Sequence, residues 1–325
     1  MNPNIDDIRS AANGLKGLSV RTPLLENPFV NERIGGRLLV KAEPLQRTGS
    51  FKFRGAYNTI SNYAQAGDLS AVVAYSSGNH AQGVAAAAAL LDVPAVIVMP
   101  ADAPGIKVEK TRAYGAEVVT YDRYGESRED IAAAIADERG ATLIKPYDDP
   151  RIISGQGTVG LELTEQAADQ GVEKIDAVLS PCGGGGLVSG IAIAVKAADA
   201  GTSVYSVEPA GFDDTARSLA GGRRVGVDPA ARSICDALLA PMPGEMTFAI
   251  NQELLEGGLS VTDEEAKDAM RLAFREFKLV VEPGGAVALA AVLTGKVDCR
   301  SKTACVVCSG GNVDGDLYAD VLGGG

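Results

Sequence analysis

The chain has 325 residues, of which 46 % are apolar and 22 % charged, and its formal net charge is −12. This composition suits a globular protein rather than a disordered one, and the acidic balance disfavours nucleic acid and anionic membranes as partners. One histidine and five cysteines exclude multi-histidine metal sites and argue against a Ser-His-Asp triad and a disulfide framework. The N-terminus does not resemble a signal peptide, and no apolar run reaches about 18 residues, so we expect a cytoplasmic location.

In chain order, short apolar runs alternate with helical stretches. Strand–loop–helix units are predicted at 71–91 and 176–198, helices at 104–115 and 127–139, and strands at 94–100, 116–121, 141–146, 203–209 and 303–308. Such alternation predicts an α/β fold with parallel sheets covered on both faces, and ligands bind beyond the carboxyl ends of such strands. We predict two doubly wound domains with a cleft between them. Residues 72–147 would form the smaller domain, and residues 1–71 and 148–325 the larger one.

Four glycines at 183–186 follow a predicted strand and open a predicted helix. Glycines let backbone N–H groups converge, and a helix N-terminus adds partial positive charge. This segment therefore predicts a phosphate cradle. The sequence GQGTVG at 155–160 also fits a dinucleotide-binding pattern, but it does not follow a clear strand. Packing glycines at a helix start are the better interpretation there, and a nicotinamide oxidoreductase would rest on this motif alone.

The loop SSGNH at 76–80 joins a predicted strand to an alanine-rich helix. Its serine and asparagine side chains are typical helix caps, yet its backbone amides could also hold a carboxylate. His80 is either a cofactor neighbour or a histidine satisfied at the helix terminus, and the sequence leaves both open.

Two other groups have simpler interpretations. Cys305 and Cys308 lie three positions apart on a strand and therefore face opposite sides, which predicts buried packing and not a metal site. Glu208, Asp213 and Asp214 share one loop. They could bind a hard cation or form a solvated acidic loop.

Lys52 stands between two phenylalanines in TGSFKFRG, residues 48–55. Burial beside Phe51 and Phe53 would lower the pKa of Lys52 and make it a usable nucleophile and base. Together with the phosphate cradle, this suggests pyridoxal phosphate bound to the lysine through a Schiff base. A lysine in an ordinary amphipathic strand is the competing interpretation.

Seven motifs occur in a familiar order: KAEPLQRTGSFKFRGA, SSGNHAQG, SGQGT, PCGGGGL, VEP, VEPGGAV and CSGGN. Over about residues 20 to 315 the chain resembles the fold-type II pyridoxal-phosphate enzymes, within them the branch of threonine/serine dehydratases and serine racemases. The resemblance implies a tryptophan synthase β-like fold with the cofactor in the interdomain cleft, in which the large domain of residues 1–71 and 148–325 binds the cofactor and the small, mobile domain of residues 72–147 closes over the substrate. It also suggests a homodimer.

The resemblance also implies roles for individual residues. Lys52 would be the Schiff-base lysine, Phe51 would pack on the pyridine ring, Asn79 would bind the phenolic oxygen and Ser309 would face the pyridine nitrogen. The phosphate would be held by Gly183, Gly184, Gly185 and Gly186. The substrate carboxylate would be held by Ser76, Ser77, Gly78, Asn79 and His80.

Further roles carried over from the family concern catalysis and metal binding. Ser77 would lie on the cofactor face opposite Lys52, where racemases place a second acid/base, and Arg128 would lie near the substrate. A divalent cation (Mg²⁺, Ca²⁺ or Mn²⁺) would be held by Glu208, the Phe212 carbonyl and Asp214.

The implied activity is dehydration of a hydroxy amino acid such as L-threonine or L-serine to a 2-keto acid and ammonia. Lys52 would remove the α-proton, and loss of the β-hydroxyl would follow. The alternatives are 3-hydroxyaspartate dehydratase, which would give oxaloacetate and ammonia, and an amino-acid racemase. Lys145 stands where relatives commonly have histidine. It could meet a second substrate carboxylate, although a surface lysine is the preferred interpretation.

Overall fold

The protein consists of two mainly parallel β-sheets with helices packed around them. The computed structural model describes residues 2–67, 69–76, 78–103, 105–123 and 125–324. The strands in chain order are β1 Leu24–Glu26, β2 Arg37–Ala42, β3 Val72–Tyr75, β4 Ala95–Pro100, β5 Glu117–Tyr121, β6 Thr142–Leu143, β7 Ala177–Pro181, β8 Ser203–Pro209, β9 Gly257–Val261 and β10 Thr303–Cys308.

Helices fill most of the connections between the strands. They are α1 Ile5–Gly14, α2 Pro28–Ile34, α3 Lys52–Ala66, α4 Asn79–Leu90, α5 Gly105–Ala113, α6 Arg128–Arg139, α7 Pro150–Asp169, α8 Gly186–Ala198, α9 Asp214–Gly221, α10 Glu245–Leu254, α11 Asp263–Leu272, α12 Pro283–Leu293 and α13 Gly315–Gly323. A π-helical stretch, Ala273–Phe277, extends α11, and short 3₁₀ turns occur at Glu43–Leu45, Arg47–Gly49 and Asp236–Leu238.

The larger sheet has the strand order β1-β2-β10-β7-β8-β9, and its strands are parallel except that β1 runs antiparallel to β2. The smaller sheet has the order β5-β4-β3-β6 and is parallel throughout. The central strands are buried because helices cover both sheet faces. The α/β prediction is confirmed, although the strand predicted at 141–146 pairs over Thr142–Leu143 alone.

The GQGTVG segment lies inside α7, which already begins at Pro150, so its glycines serve packing as predicted but do not mark a helix start. A Cβ atom on Gly155 would lie 2.6 Å from the carbonyl oxygen of Arg54, and one on Gly160 would lie 2.9 Å from Cα of Ile191. The glycines therefore let α7 approach α3 and α8 at backbone distance.

The five cysteines are free and buried. Cys305 packs in one hydrophobic cluster and Cys308 in another, on opposite faces of β10. The prediction that this pair serves packing is therefore confirmed. Among the helices that the structure describes, none combines the length and the apolar character needed to cross a bilayer.

A network of buried charges lies between β2, α3 and α7. The Arg54 guanidinium donates to both carboxylate oxygens of Glu43 at 2.9 Å and to those of Glu162 at 2.7 and 2.9 Å. The Lys41 ammonium donates to Glu162 at 2.6 Å and to the side chain of Gln166 at 2.8 Å. Because these positive and negative charges neutralise one another, the network can exist where water is excluded.

Candidate active site

A cleft opens between the two sheets at the carboxyl ends of β3, β7 and β10, the edge where ligands bind in open α/β sheets. The structure brings the sequence-predicted cofactor and substrate residues to its wall: Phe51, Lys52, Ser76, Gly78, Asn79, His80, Arg128, Gly183, Gly184, Gly185, Gly186 and Ser309. Ser77 lies outside the described residues, so its role as a second acid/base stays a prediction.

The glycine tetrad follows β7 after Cys182 and leads into α8, and no side chain of the described residues caps this helix. Uncapped N–H groups at a helix N-terminus bind anions. The turn needs glycine, because Gly185 has φ +93° and a Cβ atom on Gly184 would lie 2.3 Å from the ring of Tyr147. The segment therefore fits a phosphate group.

Lys52 is the first residue of α3, so the competing interpretation of an amphipathic strand is wrong. Its Nζ donates to the Pro146 carbonyl at 2.8 Å and lies 5.3 Å from the centroid of the Phe51 ring. Burial lowers the pKa of Lys52 to about 8. Phe53 packs in the hydrophobic core of the smaller sheet instead of lining the cleft. Lys52 is therefore suited to act as a nucleophile and base near neutral pH.

Asn79 is held in one orientation by two buried side chains. Its Nδ2 donates to Glu282 at 2.5 Å, and its Oδ1 accepts from the Asn312 side-chain amide at 2.9 Å. An asparagine amide has two hydrogens on nitrogen, so one is left for a ligand oxygen in the cleft. This arrangement is compatible with the predicted contact to a phenolic oxygen.

Two polar groups in the described part of the loop at 76–80 already have partners within the protein. The Gly78 amide donates to the Ser76 hydroxyl at 3.1 Å. The His80 ring is buried, and its Nε2 lies 3.0 Å from the Ile144 carbonyl. Burial, with help from the positive charge of Lys52, lowers the pKa of His80 to about 3, so the ring is neutral.

Arg128 and Lys145, the two cations predicted for the substrate region, differ in their access to the cleft. Arg128 begins α6, stacks over the Tyr75 ring at 5.3 Å and donates to Glu129 at 2.8 Å. Lys145, by contrast, is exposed and does not belong to the described cleft lining.

Other cleft residues were not identified from the sequence: Tyr75, Lys107, Arg123, Tyr147, Gln156 and Asp236. Lys107 donates to Asp236 at 2.6 Å and lies 3.7 Å from Glu282. Gln156 stands between the packing glycines of α7, so the motif GQGTVG contains a cleft residue after all. No local pattern indicates these positions, because distant segments converge on them.

The predicted cation ligands lie near Cys182, whose Sγ is 3.4 Å from the hydroxyl of Thr215, the neighbour of Asp214. Glu208 accepts the Thr215 and Ala216 amides at 2.9 and 2.8 Å, while Oδ2 of Asp214 is buried without a partner among the described residues. Burial raises the pKa of Glu208 to about 8. Within the described ranges, no three His, Cys, Asp or Glu side chains cluster closely enough to hold a metal. The described residues therefore supply two carboxylates, those of Glu208 and Asp214, and the third predicted ligand is the Phe212 carbonyl.

A family model described as "Pyridoxal-phosphate dependent enzyme" matches residues 16–310. The chain belongs to this family. It is 43 % identical to L-threo-3-hydroxyaspartate ammonia-lyase of a Pseudomonas species, over 98 % of both chains. It is 39 % identical to serine racemase of Schizosaccharomyces pombe, over 98 % of this chain and 97 % of the relative. A crystal structure of T.th. threonine deaminase is similar with a TM-score of 0.90 and 46 % identity, covering 96 % of this chain and 99 % of that one.

These similarities confirm the predicted family, its branch of dehydratases and racemases, and the fold of this pyridoxal-phosphate enzyme. The cofactor also fits the site. An uncapped helix N-terminus with a glycine turn suits its phosphate, and Asn79 has a spare donor. Lys52 has the lowered pKa that a Schiff-base lysine needs.

Proposed function

We propose that this pyridoxal-phosphate enzyme is an ammonia-lyase whose preferred substrate is an acidic hydroxy amino acid, 3-hydroxyaspartate, which it converts to oxaloacetate and ammonia. The observation that carries the choice of substrate is the charge of the cleft. Its described lining contains four basic side chains and one carboxylate, within a chain of net charge −12. The basic residues are Lys52, Lys107, Arg123 and Arg128.

Most anion-binding groups in the cleft already have a partner or a proposed role. Lys52 serves the cofactor, and Lys107 is neutralised by Asp236 and Glu282. The phosphate meets backbone amides at the glycine tetrad, and the loop at 76–80 is proposed to hold the α-carboxylate. Two arginines therefore remain for a further negative group.

Arg123 and Arg128 are paired with exposed carboxylates. Arg123 donates to Asp102 at 2.9 and 3.0 Å, and Arg128 donates to Glu129 at 2.8 Å. Such exposed pairs contribute little stability, so a substrate carboxylate in the cleft can replace either partner. Guanidinium groups bind carboxylates in a bidentate manner, which favours a dicarboxylic substrate over serine or threonine.

The chain's own residues perform the proton steps. The lowered pKa of Lys52 leaves part of the freed amine unprotonated near neutral pH, so it can take the α-proton of the substrate. The cofactor, when bound, stabilises the negative charge at Cα. Asn79 is proposed to contact its phenolic oxygen, and Ser309 its pyridine nitrogen. Orientation by the loop at 76–80 keeps the Cα–H bond directed at Lys52.

A substrate panel tests the proposal directly. We expect kcat/KM for keto-acid and ammonia release to be higher with L-threo-3-hydroxyaspartate than with L-serine or L-threonine. Substitution Arg128→Met should lower kcat/KM for hydroxyaspartate by about 30-fold or more, since a desolvated charge pair loses a partner. The value for serine should change much less.

Lys145→Met is the matched control, because this exposed cation lies next to the cleft but does not belong to its described lining. It should leave kcat/KM for every substrate unchanged. A higher kcat/KM for threonine than for hydroxyaspartate, or an equal loss for both substrates in Arg128→Met, would contradict the acidic-substrate proposal while leaving the ammonia-lyase class intact.

We also propose that Glu208, Asp214 and the Phe212 carbonyl bind a divalent cation. The buried oxygen of Asp214, which lacks a partner among the described residues, supports this proposal, since an isolated buried carboxylate is costly. Chelation with EDTA should lower the melting temperature, and Mg²⁺, Ca²⁺ or Mn²⁺ should restore it. The variant Asp214→Asn should show no response to either treatment. An equal response of this variant and the wild type would place any cation elsewhere.

Three finer predictions complete the proposal. The domain of residues 72–147 closes over the substrate, the enzyme is a homodimer, and Ser77 supports racemisation as a side activity. Chiral analysis of residual substrate would detect racemisation, and light scattering would give the oligomeric state.

A further inference from the structure

Asp148 caps a helix that lies far from it in the sequence. Helix α10 begins at Glu245, and its N-cap residue, Gly244, has no side chain that could accept a hydrogen bond. The Asp148 carboxylate instead accepts the amides of Glu245, Met246 and Thr247 at 3.2, 2.9 and 3.2 Å. A helix start leaves four amides without partners, so Asp148 satisfies most of them and fixes the first turn of α10.

The glycine at the N-cap lets this carboxylate approach the helix. A Cβ atom on Gly244 would collide with Oδ1 of Asp148. A serine or aspartate at this position, the usual N-cap types, would therefore displace the Asp148 side chain. The start of α10 is thus built for a cap that another segment supplies.

The first turn of α10 holds the glycine tetrad. The Thr247 hydroxyl donates to the Gly184 carbonyl at 2.7 Å, and the Gly244 amide lies 3.4 Å from the same oxygen. Gly185 packs on the same threonine, since a Cβ atom on Gly185 would lie 2.9 Å from Cβ of Thr247. Because a peptide group is planar, a fixed Gly184 carbonyl also fixes the direction of the Gly185 N–H. Thr247 therefore helps to set the orientation of the tetrad's amides.

Residues 146–148 connect this support to the reacting lysine. The Pro146 carbonyl accepts from the Lys52 Nζ at 2.8 Å, and the Tyr147 ring fills the space beside Gly184 that a Cβ atom there would need. The next residue is Asp148. Three successive residues thus contact the reacting lysine, the glycine tetrad and the helix that supports the tetrad.

We propose that Asp148 is a positioning residue for the phosphate of the cofactor: its carboxylate sets the first turn of α10, and Thr247 transmits that position to the Gly184 carbonyl. Neither side chain needs to touch the phosphate. An ordinary helix cap contributes stability alone, whereas loss of this one also changes the orientation of backbone amides that bind an anion. The inference concerns cofactor binding and holds for each of the amino-acid substrates considered above.

Asp149 provides a matched control at the adjacent position. Its carboxylate caps α7 by accepting the amides of Arg151 and Ile152 at 2.8 and 3.3 Å. Asp148→Ala and Asp149→Ala each remove a carboxylate from the start of a helix, so we expect both to lower the melting temperature by a similar amount. The two variants should differ in how they bind the cofactor.

Titration of the cofactor-free protein with pyridoxal 5′-phosphate and with pyridoxal, followed by absorbance, separates the two roles. In Asp148→Ala we expect Kd for pyridoxal 5′-phosphate to rise about 5- to 10-fold, the scale of one hydrogen bond, while Kd for pyridoxal changes little. Asp149→Ala should leave both values unchanged. The ³¹P resonance of the bound cofactor should shift in Asp148→Ala and stay in place in Asp149→Ala.

Thr247→Val tests the same connection without removing the cap, and it decides the question if Asp148→Ala does not fold. Valine keeps the shape of threonine but loses the hydrogen bond to Gly184. We expect a similar rise in Kd for pyridoxal 5′-phosphate. The double variant Asp148→Ala/Thr247→Val should bind little more weakly than either single variant, because both changes act on one carbonyl.

An unchanged Kd for pyridoxal 5′-phosphate in Thr247→Val, or in folded Asp148→Ala, would overturn the proposal. Equal weakening by Asp148→Ala and Asp149→Ala would also overturn it, since the role would then be helix stability alone. An equal loss of affinity for pyridoxal would place the effect away from the phosphate, with the same consequence. Ammonia release does not enter these measurements, so their outcome is independent of the proposed function.

Discussion

Replacement of Lys52 by alanine is expected to lower kcat for ammonia release by at least about 10³-fold, because the variant loses both the cofactor's covalent partner and the general base. In the structure, the Lys52 Nζ is held 2.8 Å from the Pro146 carbonyl, and the other lysine of the described cleft lining, Lys107, is bound to Asp236 and cannot replace it. The measurement is keto-acid and ammonia release, together with borohydride trapping and mass mapping of the cofactor-bearing peptide.

Lys145→Ala serves as the control, because Lys145 is exposed and its replacement should leave full activity and full trapping. If trapping identified a lysine other than Lys52, or if Lys52→Ala kept more than a small fraction of the wild-type turnover, the assignment of the reacting lysine would be wrong. Restoration of activity by added primary amines would support the assignment, since a free amine can replace the missing base.

Substitution Arg54→Met is expected to lower the free energy of unfolding by about 3 to 5 kcal/mol, the cost of removing one partner from a buried ionic network. Arg54 is fully buried and donates to Glu43 and Glu162. Without its guanidinium, two carboxylates would remain with only Lys41 to neutralise them among the described partners. Urea unfolding monitored by circular dichroism measures the change.

The surface pair between Arg139 and Glu117 provides a matched comparison. It has two short contacts, of 2.6 and 2.9 Å, but both side chains are largely exposed. Arg139→Met should therefore leave the free energy of unfolding nearly unchanged. If Arg54→Met were equally mild, the buried network would contribute little, and the local packing of α3 and α7 would be the main source of stability.

Segments with a complete local signal were predictable from the sequence. The glycine tetrad follows the strand AVLSP and precedes an apolar helix, so the strand, the turn and the anion-binding helix start could all be located. The alternation of apolar runs and helical stretches predicted the two parallel sheets. The period-2 geometry of a strand was sufficient to place Cys305 and Cys308 on opposite faces.

Features made by distant segments were not predictable in this way. An aromatic–Lys–aromatic pattern is compatible with a strand and with the start of a helix. Only the packing of Phe53 in the hydrophobic core of the smaller sheet favours the helix, and the local pattern does not reveal that contact. Lys107 meets Asp236 and Glu282 across more than a hundred residues. Partners so far apart do not alter local composition, and a single sequence cannot relate them.

Helix α3 presents three consecutive side chains to three different parts of the protein. Lys52 faces the cleft, Phe53 the hydrophobic core of the smaller sheet, and Arg54 the carboxylates of Glu43 and Glu162. Successive residues of a helix are about 100° apart around its axis, so the three directions together fix the rotation of the helix about that axis. The direction of the reacting amine is therefore set by two neighbours that never enter the cleft.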